Sequence, residues 1–506
     1  SEKFSTDTLM MALKLDALKH THPIEVEVHH PNEIGEIFDA VSYHKGASVI
    51  RMLAEYIGDA AFQKGLRAYL KTHSYKNAST LHLWDAFEKA SKKPVKKMMA
   101  LWTGKSGYPM ITAKSDGKKL TLTQKRFYSS SQSAKQSKDK TLWPIPVSAA
   151  MSKGEKSFGL MDKRSMTIPH SGGWIKINAH EGSVYRTRYE GALLGALVEP
   201  IRTKAMAPND RLGIIRDLFA FSEAGEADTT TVLEMLRVYE NETELTVWTE
   251  IVSGLRYIAN LLVGTPSYES FRVFGGSVLS HIVETVGWEE KSGESHDAKL
   301  LRPLVLGSAS FFGHTAVIAE AKKRFADHGK NPVHADLRGV VYATVAREGG
   351  EKEYTTLLGM YRAETLHEEK NRLLGALGCF RDKTLLSRTL DMVLTNEVRM
   401  QDRNGAFASV LVNPYGRELG WKFVKKNWKK IGEAYGDGNH LLSRLIGVLN
   451  RNTTRVAYDD IKAFFKTHSA PAAERTVEQT LENIDSNVRW LARDGKKIQK
   501  WLKENT

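Results

Sequence analysis

The period of the apolar pattern changes twice along this chain of 506 residues, and this limits the possible folds more than any other feature. Between Met110 and Glu190, short alternating runs separated by turn residues indicate strands. On both sides of that segment, apolar residues recur every three or four positions, which is typical of amphipathic helices. We therefore predict a mainly α protein with a small β-sandwich, in three domains that span 1–109, 110–190 and 191–506.

The first and last parts carry the helical pattern in different forms. Val49, Met52, Leu53 and Tyr56 follow the i, i+3, i+4, i+7 spacing of one buried helix face. After Gly191 the chain has the pattern of many helices of roughly 10–18 residues joined by short turns, without a fixed repeat period. This pattern favours a degenerate stack of helix pairs that curves into a solenoid-like bowl.

The polar run Ser129–Lys140, within the strand region, contains almost only Ser, Gln and Lys. Such a composition offers little apolar surface to bury. We predict a mobile loop between two strands that proteases can cut.

Composition excludes several classes of protein. No apolar run approaches the ~20 residues that a membrane-spanning helix needs, so we expect no membrane partner. The one cysteine, Cys379, rules out an intrachain disulfide and a multi-cysteine metal site, and it lies in an apolar helical stretch where we expect it to be buried and inert. The lack of disulfides favours a reducing compartment, and we predict a cytoplasmic protein.

The formal net charge of +14 has two interpretations. It can attract nucleic acid, ribosomes or acidic peptides, or it can simply keep the surface soluble. The lysine clusters Lys92–Lys97 and Lys425–Lys430 lie within helical patterns, and no RNA-binding signature accompanies them. The pattern favours an ordinary charged surface, and we expect no nucleic-acid partner.

The segment Glu33–Ser48 reads E-I-G-E-I-F-D-A-V-S-Y-H-K-G-A-S and places a tyrosine, Tyr43, at the start of a helix. It resembles a loop of the zinc aminopeptidases of the aminopeptidase N and puromycin-sensitive type. The resemblance continues in Asp16–Ile24 and in W-T-G-K-S-G-Y-P, which ends at Pro109. It implies the helical end of a thermolysin-like catalytic domain, followed by a β-sandwich and a helical C-terminal domain.

The zinc motif of that family, H-E-x-x-H followed by a distant Glu, is absent from the sequence, and so is its G-A-M-E-N substrate loop. The resemblance therefore implies the C-terminal portion of such an enzyme. We expect a missing N-terminal part to supply the zinc site and to pack against residues 1–108. The chain alone would then be inactive.

Tyr43 is the residue that we expect to act in catalysis. Hydrolysis of an amide builds negative charge on the carbonyl oxygen, and a fixed hydroxyl donor can stabilise that charge. A neutral tyrosine hydroxyl can donate at any working pH. Packing at a helix start is the usual role of a tyrosine, but the family motif favours the catalytic role.

Phe38 occupies the position where the resembling family places an aromatic ring near the first side chain of the substrate. It could provide an apolar wall and a cation–π contact, or it could simply pack in the core. Glu33, Glu36 and Asp39 could line the same cleft, but a solvated helix approach explains them equally well.

Histidines crowd the first fifty residues at His20, His22, His29, His30 and His44. A zinc site of this class needs two histidines one helical turn apart, and none of these five has such a partner. We therefore predict surface histidines and no metal site in this chain. Four arginines of the helical part could instead bind the C-terminal carboxylate of a peptide through their bidentate forks, or form surface ion pairs: Arg211, Arg381, Arg403 and Arg417.

Two functions follow from these patterns. The first is a zinc aminopeptidase that removes N-terminal residues from peptides, with zinc bound in the complete enzyme. The alternative is a non-catalytic helical scaffold that binds peptides, ribosomes or RNA. The absent zinc motif and the positive charge support the scaffold, whereas Tyr43 within its full motif supports the enzyme.

Overall fold

A computed structural model describes residues 8–28, 37, 39–170, 172–435 and 440–505, and most of them are helical. Their contacts group the chain into two compact units, Ser1–Tyr239 and Glu240–Thr506. In the described part, no single helix is both long and apolar enough to cross a membrane. One bent pair of helices in that part, His296–Phe311 and Thr315–Ala326, would together have the length and composition of a membrane-spanning segment.

In the first unit, helices both precede and follow the strands along the chain. Its α-helices are Met10–Leu15, Gly46–Ile57, Asp59–Thr72, Thr80–Ser91, Val95–Gly104, Ser131–Gln136, Ala192–Ala196, Val198–Arg202, Pro208–Ala224 and Thr229–Leu236. Short 3₁₀ turns span Ala179–Glu181 and Arg237–Tyr239, and one π-helical turn spans Val41–Lys45.

The helix Gly46–Ile57 shows why the periodic segments fold as predicted. Val49, Met52 and Leu53 are fully buried, which confirms the predicted apolar face. The helix ends at Gly58, whose φ of 88° suits a glycine, and Asp59 then opens the next helix.

Seven strands in the described part of the chain form two sheets. The strands are β1 (Pro109–Ser115), β2 (Lys119–Arg126), β3 (Ile145–Met151), β4 (Gly154–Met161), β5 (Ser165–Pro169), β6 (Ile175–Ile177) and β7 (Arg186–Tyr189). One sheet has the order β5-β2-β1-β7, with β1 and β7 parallel, and the other has the antiparallel order β4-β3-β6.

Both sheets contribute to one hydrophobic cluster. Leu122 from the first sheet and Ile145 from the second belong to the same buried cluster as Trp102 from the preceding helix. The packing of the two sheets as a sandwich, and the domain boundaries at 109/110 and 190/191, stay predictions.

The segment Ser129–Lys140 lies between two strands as predicted, but the prediction of a loop without regular structure is wrong, and its sensitivity to proteases stays a prediction. The helix Ser131–Gln136 forms there, and the Ser130 hydroxyl caps it by accepting from the Ser133 amide at 3.3 Å. Tyr128 and Ser137 share a hydrogen bond of 2.8 Å between their hydroxyls. Small hydroxyl side chains cap and close a short helix here, so composition alone gives the wrong result.

The second unit is helical throughout its described part. Its α-helices are Leu245–Leu262, Tyr268–Val286, His296–Phe311, Thr315–Ala326, Ala335–Glu348, Glu351–Ala363, His367–Leu377, Lys383–Val393, Met400–Val412, Arg417–Lys426, Trp428–Tyr435, His440–Gly447, Arg455–Thr467 and Glu474–Asn505.

Five of these helices form a continuous row. Tyr268–Val286 contacts His296–Phe311, which contacts Ala335–Glu348, and the row continues through His367–Leu377 to Met400–Val412. The helices between them pair with their neighbours in sequence, as expected for stacked helix pairs. The bowl shape stays a prediction.

Candidate functional site

Tyr43 lies in the π-helical turn Val41–Lys45, directly before the helix Gly46–Ile57. The Lys45 amide donates to the Ala40 carbonyl, five residues earlier, at 2.9 Å. Single π-turns of this kind occur often at functional sites. The Tyr43 side chain is 52% exposed, so its hydroxyl-bearing ring projects from the surface of the described residues.

Asp39 and His22 hold the N-terminal side of this turn. One Asp39 oxygen accepts hydrogen bonds from the amides of Val41 and Ser42 at 2.8 and 3.2 Å. The other lies 3.0 Å from His22 Nε2, and His22 Nδ1 lies 2.7 Å from the Pro23 carbonyl oxygen. His22 is 4% exposed, so the prediction of a surface histidine is wrong at this position.

A buried ion pair holds the other side of the turn. Lys45 Nζ lies 2.8 Å from Asp16 Oδ2, and both side chains are 1% exposed. The same ammonium donates to the carbonyls of Lys105 and Gly107 at 3.1 and 3.0 Å. The Gly107 amide in turn donates to Asp16 Oδ1 at 2.8 Å.

Three segments that share the aminopeptidase resemblance therefore meet at one point. Asp16, Lys45 and Gly107 come from the first, second and third of these segments. The adjacent Tyr108 is fully buried and donates its hydroxyl to the Leu13 carbonyl at 2.8 Å. The motifs build one framework, and Tyr43 is its exposed side chain.

The other candidates from this region divide into two groups. Asp39 is occupied by the contacts that shape the turn. Phe38, Glu33, Glu36 and the pair 29–30 lie outside the described residues, so their roles stay predictions.

The described residues contain one group of side chains whose ligand atoms lie close enough for a metal ion, Glu290, His334 and Asp336, within 4.8 Å of one another. All three are exposed, and Glu290 already pairs with Lys299 at 2.9 Å. A zinc site of the aminopeptidase type needs two histidines of one helix together with a carboxylate. This group contains only one histidine, so it does not provide that set.

A cavity of about 180 Å³ lies within the second unit. Its lining includes four arginines, the ring of Phe311 and the thiol of Cys379. The four arginines are Arg256, Arg272, Arg347 and Arg381. Cavities that combine aromatic surface with a few charged groups are typical ligand sites.

Two of these arginines form no ion pair with a carboxylate among the described residues. Arg256 contacts the Ser308 hydroxyl at 3.3 Å, and its guanidinium lies 5.2 Å from the centre of the Phe311 ring. Arg347 contacts the Ser310 hydroxyl at 3.3 Å and the same ring at 5.5 Å. Desolvation and the charge of Arg347 lower the pKa of Arg256 to about 10.

The other two cavity arginines are paired. Arg381 forms an ion pair with Glu348, and Arg272 pairs with Glu269 at 2.9 Å. Positive charge therefore exceeds negative charge around the cavity, as an anion site requires. Cys379 was predicted to be buried but is half-buried there, and desolvation raises the pKa of its thiol.

The four arginines that the sequence offered as binders of a peptide carboxylate lie in different places in the structure. Arg381 lines the cavity. Arg211 is buried in the first unit and donates to the Met206 carbonyl at 2.6 Å. Arg403 binds the backbone carbonyls of residues 395 and 398, and Arg417 is 9% exposed and binds the carbonyl of residue 451. Sequence reasoning missed Arg256 and Arg347, because helical periodicity does not show which exposed positions face a cavity.

Comparison with known proteins gives matches over nearly the whole chain. Residues 174–486 match the family model of the ERAP1-like C-terminal domain, and residues 1–102 match that of the peptidase family M1 domain. Aminopeptidase M1 of Arabidopsis thaliana is 35% identical over 508 residues, which cover 95% of this chain and 57% of the relative.

Two further relatives have similar coverage. Aminopeptidase M1-C of Oryza sativa subsp. japonica is 34% identical, over 96% of this chain and 57% of the relative. A protein of Saccharomyces cerevisiae named "Aminopeptidase 2, mitochondrial" is 32% identical, over 100% of this chain and 54% of the relative. The chain spans a little more than half the length of these relatives.

Proposed function

Because the chain belongs to the M1 aminopeptidase family, we propose that it is the C-terminal portion of a zinc aminopeptidase that removes N-terminal residues from peptides. The observation that carries the proposal is Tyr43, an exposed side chain on a turn that polar contacts hold from both sides. The two matched family models and the aminopeptidase relatives support it.

Tyr43 supplies a hydrogen bond to the oxygen of the scissile carbonyl. That oxygen gains negative charge as the amide is attacked, and the tyrosine hydroxyl donates to it without changing its own charge. Loss of one such donor typically costs ~2.7–4 kcal/mol of transition-state stabilisation. In the same proposal, Phe38 contacts the side chain of the first substrate residue.

Enzymes of the M1 family generally depend on zinc, but the residues described here do not fit a zinc site of that kind. The sequence contains no H-E-x-x-H motif, and the exposed group at Glu290 has the wrong ligands. We propose that residues outside this sequence provide both the zinc ligands and the general base. They would pack against residues 1–108 and complete the active site beside Tyr43.

The cavity in the second unit binds the C-terminal carboxylate of the peptide in this proposal. Arg256 and Arg347 provide donors that no described carboxylate occupies, and Phe311 provides apolar surface. A guanidinium fork is well suited to a carboxylate.

The metal content and the activity of the isolated complete protein test this proposal together. We expect about one zinc per complex, and release of the first residue from a peptide with a free N-terminus but not from its acetylated form. Mass spectrometry would identify the polypeptide that carries the ligands. A complex without zinc that binds peptides and leaves them intact would replace the enzyme with a non-catalytic scaffold.

The single cysteine supports a reducing compartment, and we propose the cytoplasm. Fractionation of cells that express the complete protein, followed by detection of residues 191–506 with an antibody, would check it.

A further inference from the structure

The buried ion pair of Lys45 and Asp16 lies behind the turn that carries Tyr43. We propose that Lys45 is a positioning residue, which holds the hydroxyl of Tyr43 in its reactive place by fixing the π-helical turn to the protein interior. The inference rests on the proposed catalytic role of Tyr43 and names a second residue that this role requires.

Tyr43 and Lys45 are two positions apart, and this spacing determines in which directions their side chains point. Side chains two positions apart on a helical turn do not face each other, so one points inward when the other points outward. Lys45 is 1% exposed and Tyr43 is 52% exposed, as this geometry requires. A rotation of the turn that withdrew Lys45 would therefore also redirect the tyrosine ring.

The contacts of Lys45 leave its ammonium little freedom. It donates hydrogen bonds to the Lys105 and Gly107 carbonyls, and it lies 2.8 Å from Asp16 Oδ2 as an ion pair. Asp16 is fixed as well, because its other oxygen accepts from the Gly107 amide at 2.8 Å and from the Thr21 hydroxyl at 2.9 Å. The turn is thus tied to two separate chain segments through one atom.

Stability alone gives little reason for this arrangement. Burial of two charges is costly, and apolar side chains of similar volume often stabilise a protein at least as well as a buried ion pair. A fixed set of directional contacts instead determines the position and orientation of the turn, which is called its register here. Because a misplacement of about 1 Å can reduce a rate ~10²-fold, register at this turn matters for catalysis.

The test uses the complete enzyme and a pair of substitutions that removes both charges. Lys45→Met with Asp16→Asn keeps the side-chain volumes and leaves no buried charge unpaired, so that folding is preserved. We expect kcat to fall ~10-fold to ~10²-fold with KM changed less than about twofold. In a Tyr43→Phe background, the same pair should cause no further fall in kcat, because no hydroxyl remains to be positioned.

A matched control is the buried pair Arg302 and Glu294 of the second unit, whose side chains are 3% and 11% exposed. Arg302→Met with Glu294→Gln should change the melting temperature but not kcat per folded molecule.

The outcomes separate two failures. If Tyr43→Phe is fully active, the catalytic role of Tyr43 fails. If Tyr43→Phe is impaired but the Lys45 and Asp16 variant keeps normal kcat, or lowers it equally in both backgrounds, the positioning role fails. If that variant does not fold, Lys45→Gln with Asp16→Asn, which also leaves no buried charge unpaired, gives the same decision from kcat per folded molecule in the two backgrounds.

Discussion

Both units contain clustered cations, but the partners of these cations differ. In the first unit, Lys176 and Arg216 both pair with Glu181, and all three side chains are 2% exposed. Lys176 also lies 3.3 Å from Asp210. In the second unit, Arg256 and Arg347 meet hydroxyls and one aromatic ring, with no ion-pairing carboxylate among the described residues.

This difference distinguishes a structural charge from a charge that is available to a ligand. Burial alone would raise the pKa of Glu181, but the charges of Lys176 and Arg216 lower it below its ordinary value, so the carboxylate is strongly held. Around Arg256 the surroundings disfavour the charged form instead, and an anion in the cavity would relieve this. We infer that the cluster around Glu181 connects elements of the fold, whereas Arg256 and Arg347 are available to bind a ligand.

The largest expected effect is that of Glu181→Gln in the first unit. The substitution removes the carboxylate that Lys176 and Arg216 share and leaves an excess of buried positive charge, which should cost about 3–5 kcal/mol in the free energy of unfolding. Chemical denaturation of this chain, followed by circular dichroism, measures it. A loss below about 1 kcal/mol would show that the cluster is not structural and would remove the contrast between the units.

Because of the Glu181 carboxylate, we also expect the stability of the folded protein to depend on pH in the acidic range. Because the folded pKa of Glu181 is lowered, its contribution to stability is full above its ordinary pKa of about 4.5. That contribution is lost as the pH falls through the lower folded value. Wild type should therefore lose stability on acidification more steeply than the Glu181→Gln variant.

The next effect concerns ligand recognition by Arg256. In the complete enzyme, wild type should prefer a peptide with a free C-terminal carboxylate over its C-terminal amide, and Arg256→Met should lose this preference. A charge-assisted hydrogen bond contributes ~1.5–3 kcal/mol, so we expect KM for the free-carboxylate peptide to rise about 10-fold to 100-fold. The stability of the variant should change little, because no paired carboxylate is left behind.

Arg403→Met is the matched control for that measurement. Arg403 binds backbone carbonyls and is absent from the cavity lining, so its loss should leave the preference intact. Equal KM values for the two peptides with wild-type enzyme would exclude the cavity as a carboxylate site.

The smallest effect concerns Cys379, which shares the cavity with Arg256 and Arg347. Desolvation raises the pKa of its thiol, and the two guanidinium charges oppose that rise. Arg256→Met should therefore reduce the thiolate fraction and slow alkylation by iodoacetamide about two- to threefold. Faster alkylation in the variant would indicate that access, and not charge, controls this thiol.

Local pattern predicted much of the fold. Periodicity identified the helix Gly46–Ile57, and alternation identified the region 110–190 as the one that forms strands. Alternation does not mark β4, whose exposed sequence contains Gly and Lys, or β5, which is only five residues long. The helix Ser131–Gln136 was missed for a related reason, because its stability comes from the Ser130 cap rather than from apolar spacing.

The candidate site shows a second limit of sequence reasoning. Tyr43 and Arg381 could be selected from motif and residue type, and the structure places them on an exposed turn and at a cavity. The contacts that support them could not be predicted. Lys45 and Asp16 are 29 positions apart in the sequence, and only folding brings them within 2.8 Å.

The central claim is that Tyr43 stabilises the transition state of peptide hydrolysis. Tyr43→Phe in the complete enzyme tests it most directly, because the change removes one hydroxyl and keeps the ring. We expect kcat to fall about 10²–10³-fold while KM for the peptide changes little. A kcat close to that of wild type, with a stability loss of only about 1 kcal/mol, would contradict the claim and leave Tyr43 a structural residue.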